Sequence, residues 1–314
     1  MGGKFPINNL EEKIIETEEL IITEKDGGVC SLIETEDKRI ACGNKNGSIS
    51  ISSYNVNTKK WNKDIYNINA HNKLVRTLCA LNGNRLLSGS WDYSIKIWFI
   101  SKSEMKLIKE IKEHTNSVSK VIPLSKERFA SCSWDKTVRI WKDDNTYKCL
   151  SILEHSCDVI SVLQLTRREI LISSSSFVIS FWNSNNYTKQ YTIEGYSIRG
   201  SNRMIELSDG NIALSSICAP NPIVIIDSLS YQIITVIQIE NYIKFDSSLC
   251  VLNNSFIYAY EGTLLQISSE DFSILFHSKG GQFIGWYDII PIDGGKSFAI
   301  DNGECISIVK PCYA

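Results

Sequence analysis

The sequence predicts an all-β fold assembled from copies of one repeat, and three observations carry the prediction. Leu86 to Trp98 (LLSGSWDYSIKIW) and Phe129 to Trp141 (FASCSWDKTVRIW) are near copies 43 residues apart, and a third copy, Ile170 to Trp182 (ILISSSSFVISFW), follows at an offset of 41. His71, His114 and His155 each precede their tryptophan (Trp98, Trp141, Trp182) by 27 residues. A fixed period of this length marks a repeat architecture in which each unit buries its faces against its neighbours. Within a copy, Ser94 to Trp98 puts Ile95 and Ile97 on one side and Lys96 and Trp98 on the other. That period of two is the signature of a strand packed on both faces.

Composition agrees with one large β domain. The chain has 314 residues, 43% hydrophobic and 22% charged, near globular averages, and repeat folds of this length use a single domain. Its net charge of −2 lacks the basic excess that phosphate-backbone binding needs, so nucleic acid is not an expected partner. No apolar run is long enough to span a membrane, and Met1 to Leu10 (MGGKFPINNL) has no apolar core of a secretion signal. Gly2 suggests lipidation, but Pro6 stands where that signal requires Ser or Thr. A cytoplasmic protein is expected, with the nucleus as the other compartment, and without a membrane partner. The ten cysteines contain no C-x-x-C pair, so neither a metal nor a disulfide framework is expected.

The S-W-D segments and their spaced histidines resemble the WD40-repeat family, and the resemblance implies the rest of the fold. It implies a seven-bladed β-propeller of four-stranded antiparallel blades, with the tryptophan on the third strand. Carrying the strand pattern outward sets the Trp-equivalent positions at Ser52, Trp98, Trp141, Trp182, Ile226, Ser268 and Val309. The last copy ends on its third strand (Cys305 to Val309), while the unassigned β-like stretch Glu18 to Glu24 opens the chain. The two ends are therefore expected to pair and close the ring, removing an exposed sheet edge. Residues 1–16 would be an N-terminal extension and residues 17–314 one propeller domain. The resemblance also implies hydrogen-bonded tetrads: His71, Ser88, Asp92 and Trp98 in one blade; His114, Ser131, Asp135 and Trp141 in the next. In the third copy His155 and Trp182 persist, with Ile172 in place of the serine and Ser176 in place of the aspartate, so that network should not close in the same way.

Catalytic groups are hard to find. Three of the four histidines belong to the tetrads, His277 has no partner motif, and no nucleophile elbow, zinc-protease or phosphate-loop pattern occurs. No catalytic residue, metal or cofactor is assigned. Recognition is the alternative, and two positions per blade reach the face that binds partners in the resembled family. One is the residue after the first apolar residue of the first strand; the other precedes the turn aspartate. Lys45, Arg76, Trp91, Ser119 and Trp134 gather on blades one to three, Asp246 and Glu261 on blade six, and Tyr287 on blade seven. Two tryptophans beside a guanidinium have the composition of an interface hot spot for an acidic and apolar peptide. The other reading is turn packing, since Ser-Trp-Asp is a frequent spelling of this turn. The expected function is a non-catalytic scaffold or adaptor, a monomeric propeller inside a larger complex. A ubiquitin-ligase substrate receptor is the alternative, and an enzyme or small-molecule binder using the central channel is the third class.

Overall fold

A computed structural model describes residues 17–21, 28–55, 60–195, 203–215, 223–238, 248–251, 255–260, 263–279, 288–292, 297–301 and 305–309. They form seven four-stranded antiparallel sheets and, among the described residues, no helix. Six sheets are simple meanders, with strands a, b, c and d in chain order. Blade two, for example, is Val75–Leu81, Arg85–Ser90, Ile95–Ile100 and Met105–Ile111, and blade three is Val118–Leu124, Arg128–Ser133, Thr137–Lys142 and Cys149–Glu154. In the seventh sheet Thr17–Ile21 takes the outer place, antiparallel to Cys305–Val309, with Thr17 opposite Val309 and Ile21 opposite Cys305. Glu24 and the first sixteen residues lie outside the described residues.

Burial explains why the inner strands read as they do. Strand b of blade two is almost wholly buried, whereas strand d, Met105–Ile111, leaves Leu107 and Ile108 exposed. Inner strands are covered by the blades on either side. Ala41, Ile49 and Ile51 of blade one pack with Val75, Leu78, Leu86 and Trp98 of blade two, and Leu87, Ile95 and Ile97 of blade two pack with Val118, Phe129 and Trp141 of blade three. Apolar burial of this kind is the main favourable term of folding, about 25 cal/mol per Å². Close approach is needed where strand b meets the next strand a. A Cβ at Gly89 would stand 2.7 Å from Val118 Cγ1, so a glycine fits there where bulkier side chains do not.

The strands a follow one another around an axis, each touching the next, and strand a of the last blade meets that of the first. Arginines tie neighbouring blades at the face carrying the a–b and c–d loops. Arg85 of blade two makes a bidentate pair with Asp143 of blade three, at 2.5 and 3.1 Å. Arg128 of blade three binds Ser184 O at 3.2 Å and the Tyr187 hydroxyl, and Arg168 of blade four binds Ser228 O at 3.2 Å.

Two register expectations change. In blade four the buried hydroxyl is Ser173, not Ile172: strand b ends at Ser175 and strand c begins at Val178, so the turn is one residue shorter than between Ser133 and Thr137. In blade six the bulge that sits at Trp98, Trp141, Trp182 and Ile226 falls at Ile267, which is therefore the Trp-equivalent in place of Ser268.

Candidate binding face

The opposite face, where d–a loops meet b–c turns, is built around the tetrads. In blade two, Trp98 Nε1 donates to Ser88 Oγ at 2.8 Å, Ser88 Oγ lies 2.7 Å from His71 Nε2, and His71 Nδ1 lies 3.0 Å from Asp92 Oδ2. Blade three repeats the chain through Trp141, Ser131, His114 and Asp135 at 2.8, 2.7 and 2.6 Å. Assigning the protons follows from the groups: indole N–H to hydroxyl, hydroxyl to imidazole, imidazole N–H to carboxylate. Burial opposes charge on Asp92 and Asp135, but His71 with Ser94, and His114 with Thr137, outweigh it and hold both carboxyls well below the usual carboxylate range.

Each aspartate then shapes a turn. Asp92 Oδ1 accepts from Ser94 N and Asp92 Oδ2 from Asn72 N, both at 3.0 Å, so one carboxylate joins the b–c turn to the d–a loop. Asp135 does the same with Thr137 N at 3.0 Å and Thr115 N at 3.2 Å. The turn closes with a left-handed residue, Tyr93 (φ 74°) or Lys136 (φ 69°). Blade one reaches the same shape with Asn46 and Gly47 (φ 88°), Asn46 Oδ1 accepting from Ser48 N at 2.9 Å. In blade four His155 has no aspartate: Nδ1 donates to Leu153 O at 3.0 Å, while Ser173 Oγ still joins His155 Nε2 at 2.7 Å and Trp182 Nε1 at 2.9 Å. Without an anion beside it, burial pushes the His155 pKa down to about 4.

This scaffold presents the sequence-selected side chains unequally. Lys45, Trp91 and Trp134 hold the same place in three successive blades, their amides donating to Gly28 O, Leu74 O and Ser117 O at 2.9, 3.1 and 3.0 Å. With the backbone held alike, the side chains differ in exposure. Lys45 is exposed, Trp91 half-buried, and Trp134 retains 37% of its surface. The two indoles touch, with ring centroids 5.5 Å apart and planes at 47°. Beside them Lys73 Nζ lies 5.2 Å from the Tyr93 ring, a pair that sequence reasoning missed although Tyr93 follows the S-W-D segment directly. Arg76 is half-buried, in the bulge between Val75 and Thr77. Ser119 turns inward and donates to Val159 O of the next blade at 2.6 Å, so the structure puts it between blades. Asp246, Glu261 and Tyr287 lie outside the described residues.

Among the described residues no three His, Cys, Asp or Glu side chains converge as a metal site. Burial pushes the Cys132 thiol up to about 11 and that of Cys250 to about 12, far from the thiolate state a nucleophile needs.

Two successive blades with the same Trp–Ser–His–Asp chain and the same tight turn are the decisive observation, and comparison with known families agrees. The model described as WD domain, G-beta repeat matches residues 62–98 and 105–142. Residues 62–98 and 105–142 are WD40 repeats. Each matched segment starts on strand d of one blade and ends on strand c of the next, which is why a WD40 repeat in sequence is offset from a blade in space. A search of curated proteins found no match.

Proposed function

We propose that the protein is a non-catalytic scaffold whose tetrad face, centred on blades two and three, binds a protein or peptide partner with acidic and apolar side chains. WD40 repeats generally mediate protein–protein interaction, and the contact between Trp91 and Trp134 on neighbouring turns carries the finer reading. Aromatic anchors held by a rigid backbone lose little freedom on binding, and tryptophan and arginine dominate interface energetics. Arg76 would supply the fixed charge for an acidic side chain, and Lys45 a second cation at the next blade. In this reading residues 17–314 act as one domain, present as a single propeller within a larger assembly in the cytoplasm or nucleus.

Crosslinking mass spectrometry on the assembly purified through the native protein tests this. Partner crosslinks are expected at Lys45, Lys73 and Lys136, all exposed on or beside the turns. Crosslinks confined to Lys38, Lys102 and Lys126 on the opposite loops would move the binding face. Cullin-ligase subunits in the assembly would assign the protein as a substrate receptor instead.

A further inference from the structure

Each blade ends in an outer strand whose far edge pairs with no other described strand. Bare edges recruit other chains, and natural sheets discourage this with lysine, other charges or proline on the edge. Six outer strands follow that rule: Lys63 stands in blade one, Lys106 in blade two, Glu154 in blade three, Lys189 in blade four, Lys279 in blade six and Glu18 in the strand that completes blade seven. Blade five departs from it. Its outer strand, Ile233–Ile237 (IITVI), lies in a run from Ser228 to Ile239 that contains no Lys, Arg, Asp, Glu or Pro.

The edge is apolar as well as uncharged. Leu229, Ile233 and Ile234 are all exposed, Leu229 in 72% of its surface, and the exposed Tyr191 of blade four stacks on Tyr231 with ring centroids 5.1 Å apart. The bulge that places Ile234 between the partners of Ile225 and Ile226 explains why two successive residues are both exposed. The strand also reads nearly the same from either end. About Thr235, Ile234 mirrors Val236, Ile233 mirrors Ile237 and Gln232 mirrors Gln238. Two copies of one strand related by a two-fold axis run antiparallel, so each residue meets its mirror position. Centred on Thr235, that pairing sets isoleucine against isoleucine or valine, glutamine against glutamine and Thr235 against its own copy, with no charge opposed. A second copy of the chain is the complement this edge fits.

We propose that two copies of the chain pair edge to edge through Ile233–Ile237 of blade five, antiparallel and centred on Thr235. The pairing makes one continuous sheet of two blades and covers Ile233 and Ile234 of both copies. Strand d runs toward the tetrad face in each blade, so an antiparallel pair points the tetrad faces of the two copies in opposite senses. The dimer goes beyond the binding-face reading: it uses the rim, leaves the b–c turns open and gives the assembly two such faces. Charges on the other outer strands end the association at two copies.

Sedimentation equilibrium of the full chain over a concentration series tests the pairing, with melting followed for every variant. A reversible equilibrium between monomer and dimer in the micromolar range is expected, as suits an interface of one strand per copy. Ile234→Lys replaces an exposed side chain, so it should fold as the wild type does and weaken the dimer by about tenfold or more. Leu275→Lys, exposed on the outer strand of blade six, is the control and should leave the dimer unchanged. Thr235→Lys and Thr235→Glu each set like charges against one another on the two-fold axis. Either alone should be monomeric, and an equimolar mixture of the two should dimerise again. Thr235 is half-buried, and Ile234→Lys keeps the test decisive where those variants do not fold. A wild-type chain that stays monomeric, a dimer that survives Ile234→Lys or is lost in Leu275→Lys, open-ended oligomers, or a mixture of folded Thr235 variants that stays monomeric would overturn the proposal. The monomeric Ile234→Lys variant should retain the tetrad-face partner, so failure of this pairing and failure of that face are read separately.

Discussion

Replacing Ser173 with alanine tests the corrected register of blade four. Its Oγ accepts from Trp182 Nε1 at 2.9 Å and lies 2.7 Å from His155 Nε2, and the side chain is fully buried. Alanine leaves the indole N–H and the imidazole nitrogen without this partner in a site closed to water, at about 1–3 kcal/mol for each unsatisfied group. The two losses share one atom and are coupled, so roughly 2–4 kcal/mol is expected together. For a chain of this size that is a fall of about 4–8 °C in melting temperature. Ser131→Ala should cost about the same, since Ser131 holds Trp141 and His114 at 2.8 and 2.7 Å. Ser176→Ala, in the partly exposed turn, should stay within about 0.5 kcal/mol. Urea unfolding followed by tryptophan fluorescence reads all three. Equal midpoint shifts for Ser173→Ala and Ser176→Ala would refute the register and the network.

Three further outcomes follow from other parts of the ring. Deleting residues 1–24 removes the partner of Cys305–Val309 and should open a sheet edge, lowering the melting temperature and producing oligomers by size exclusion; an unchanged melting temperature with a monodisperse peak would show that this strand does not hold the ring. Gly47→Ala puts a Cβ 2.2 Å from His71 O at a φ of +88°, and should cost about 2 kcal/mol or more in denaturant unfolding. His155 titrates near 4 in the fold against 6.5 as a free side chain, so the unfolded chain takes up its proton first. Stability should therefore fall as pH drops from about 6.5 to 4, by at most about 3 kcal/mol, and His155→Gln should flatten that window; a wild-type curve that is already flat there would contradict the burial argument.

The parts legible in the sequence are those where one residue type serves one physical need at a fixed spacing. Histidine, serine, tryptophan and aspartate recur because each completes its neighbour's hydrogen bonds, and that fixed blades two and three outright. Blade four misled because offsets counted back from Trp182 cannot reveal a shortened turn between Ser175 and Val178: the hydroxyl moves one place while the histidine spacing stays intact. The same applies to blade six, where Tyr260 pairs with Thr263 across a two-residue turn. The ion pair of Arg203 with Asp288 joins blade five to blade seven, and a contact between such distant repeats has no local pattern in the chain. Ser119 shows a related gap between pattern and geometry: the repeat gives its position, but not that its short hydroxyl folds back onto the next blade's carbonyl at Val159.

The most direct test of the binding face is the double variant Arg76→Ala with Trp134→Ala, compared with the wild-type protein by quantitative affinity purification and by calorimetric melting. Trp134 is exposed in 37% of its surface, so the variant should melt within a few degrees of the wild type while its main partner is depleted at least thirtyfold, the scale of an interface hot spot of about 2 kcal/mol. A variant that melts normally and still retains every partner would contradict the account, as would one that unfolds, which would give these side chains to the packing of the turns.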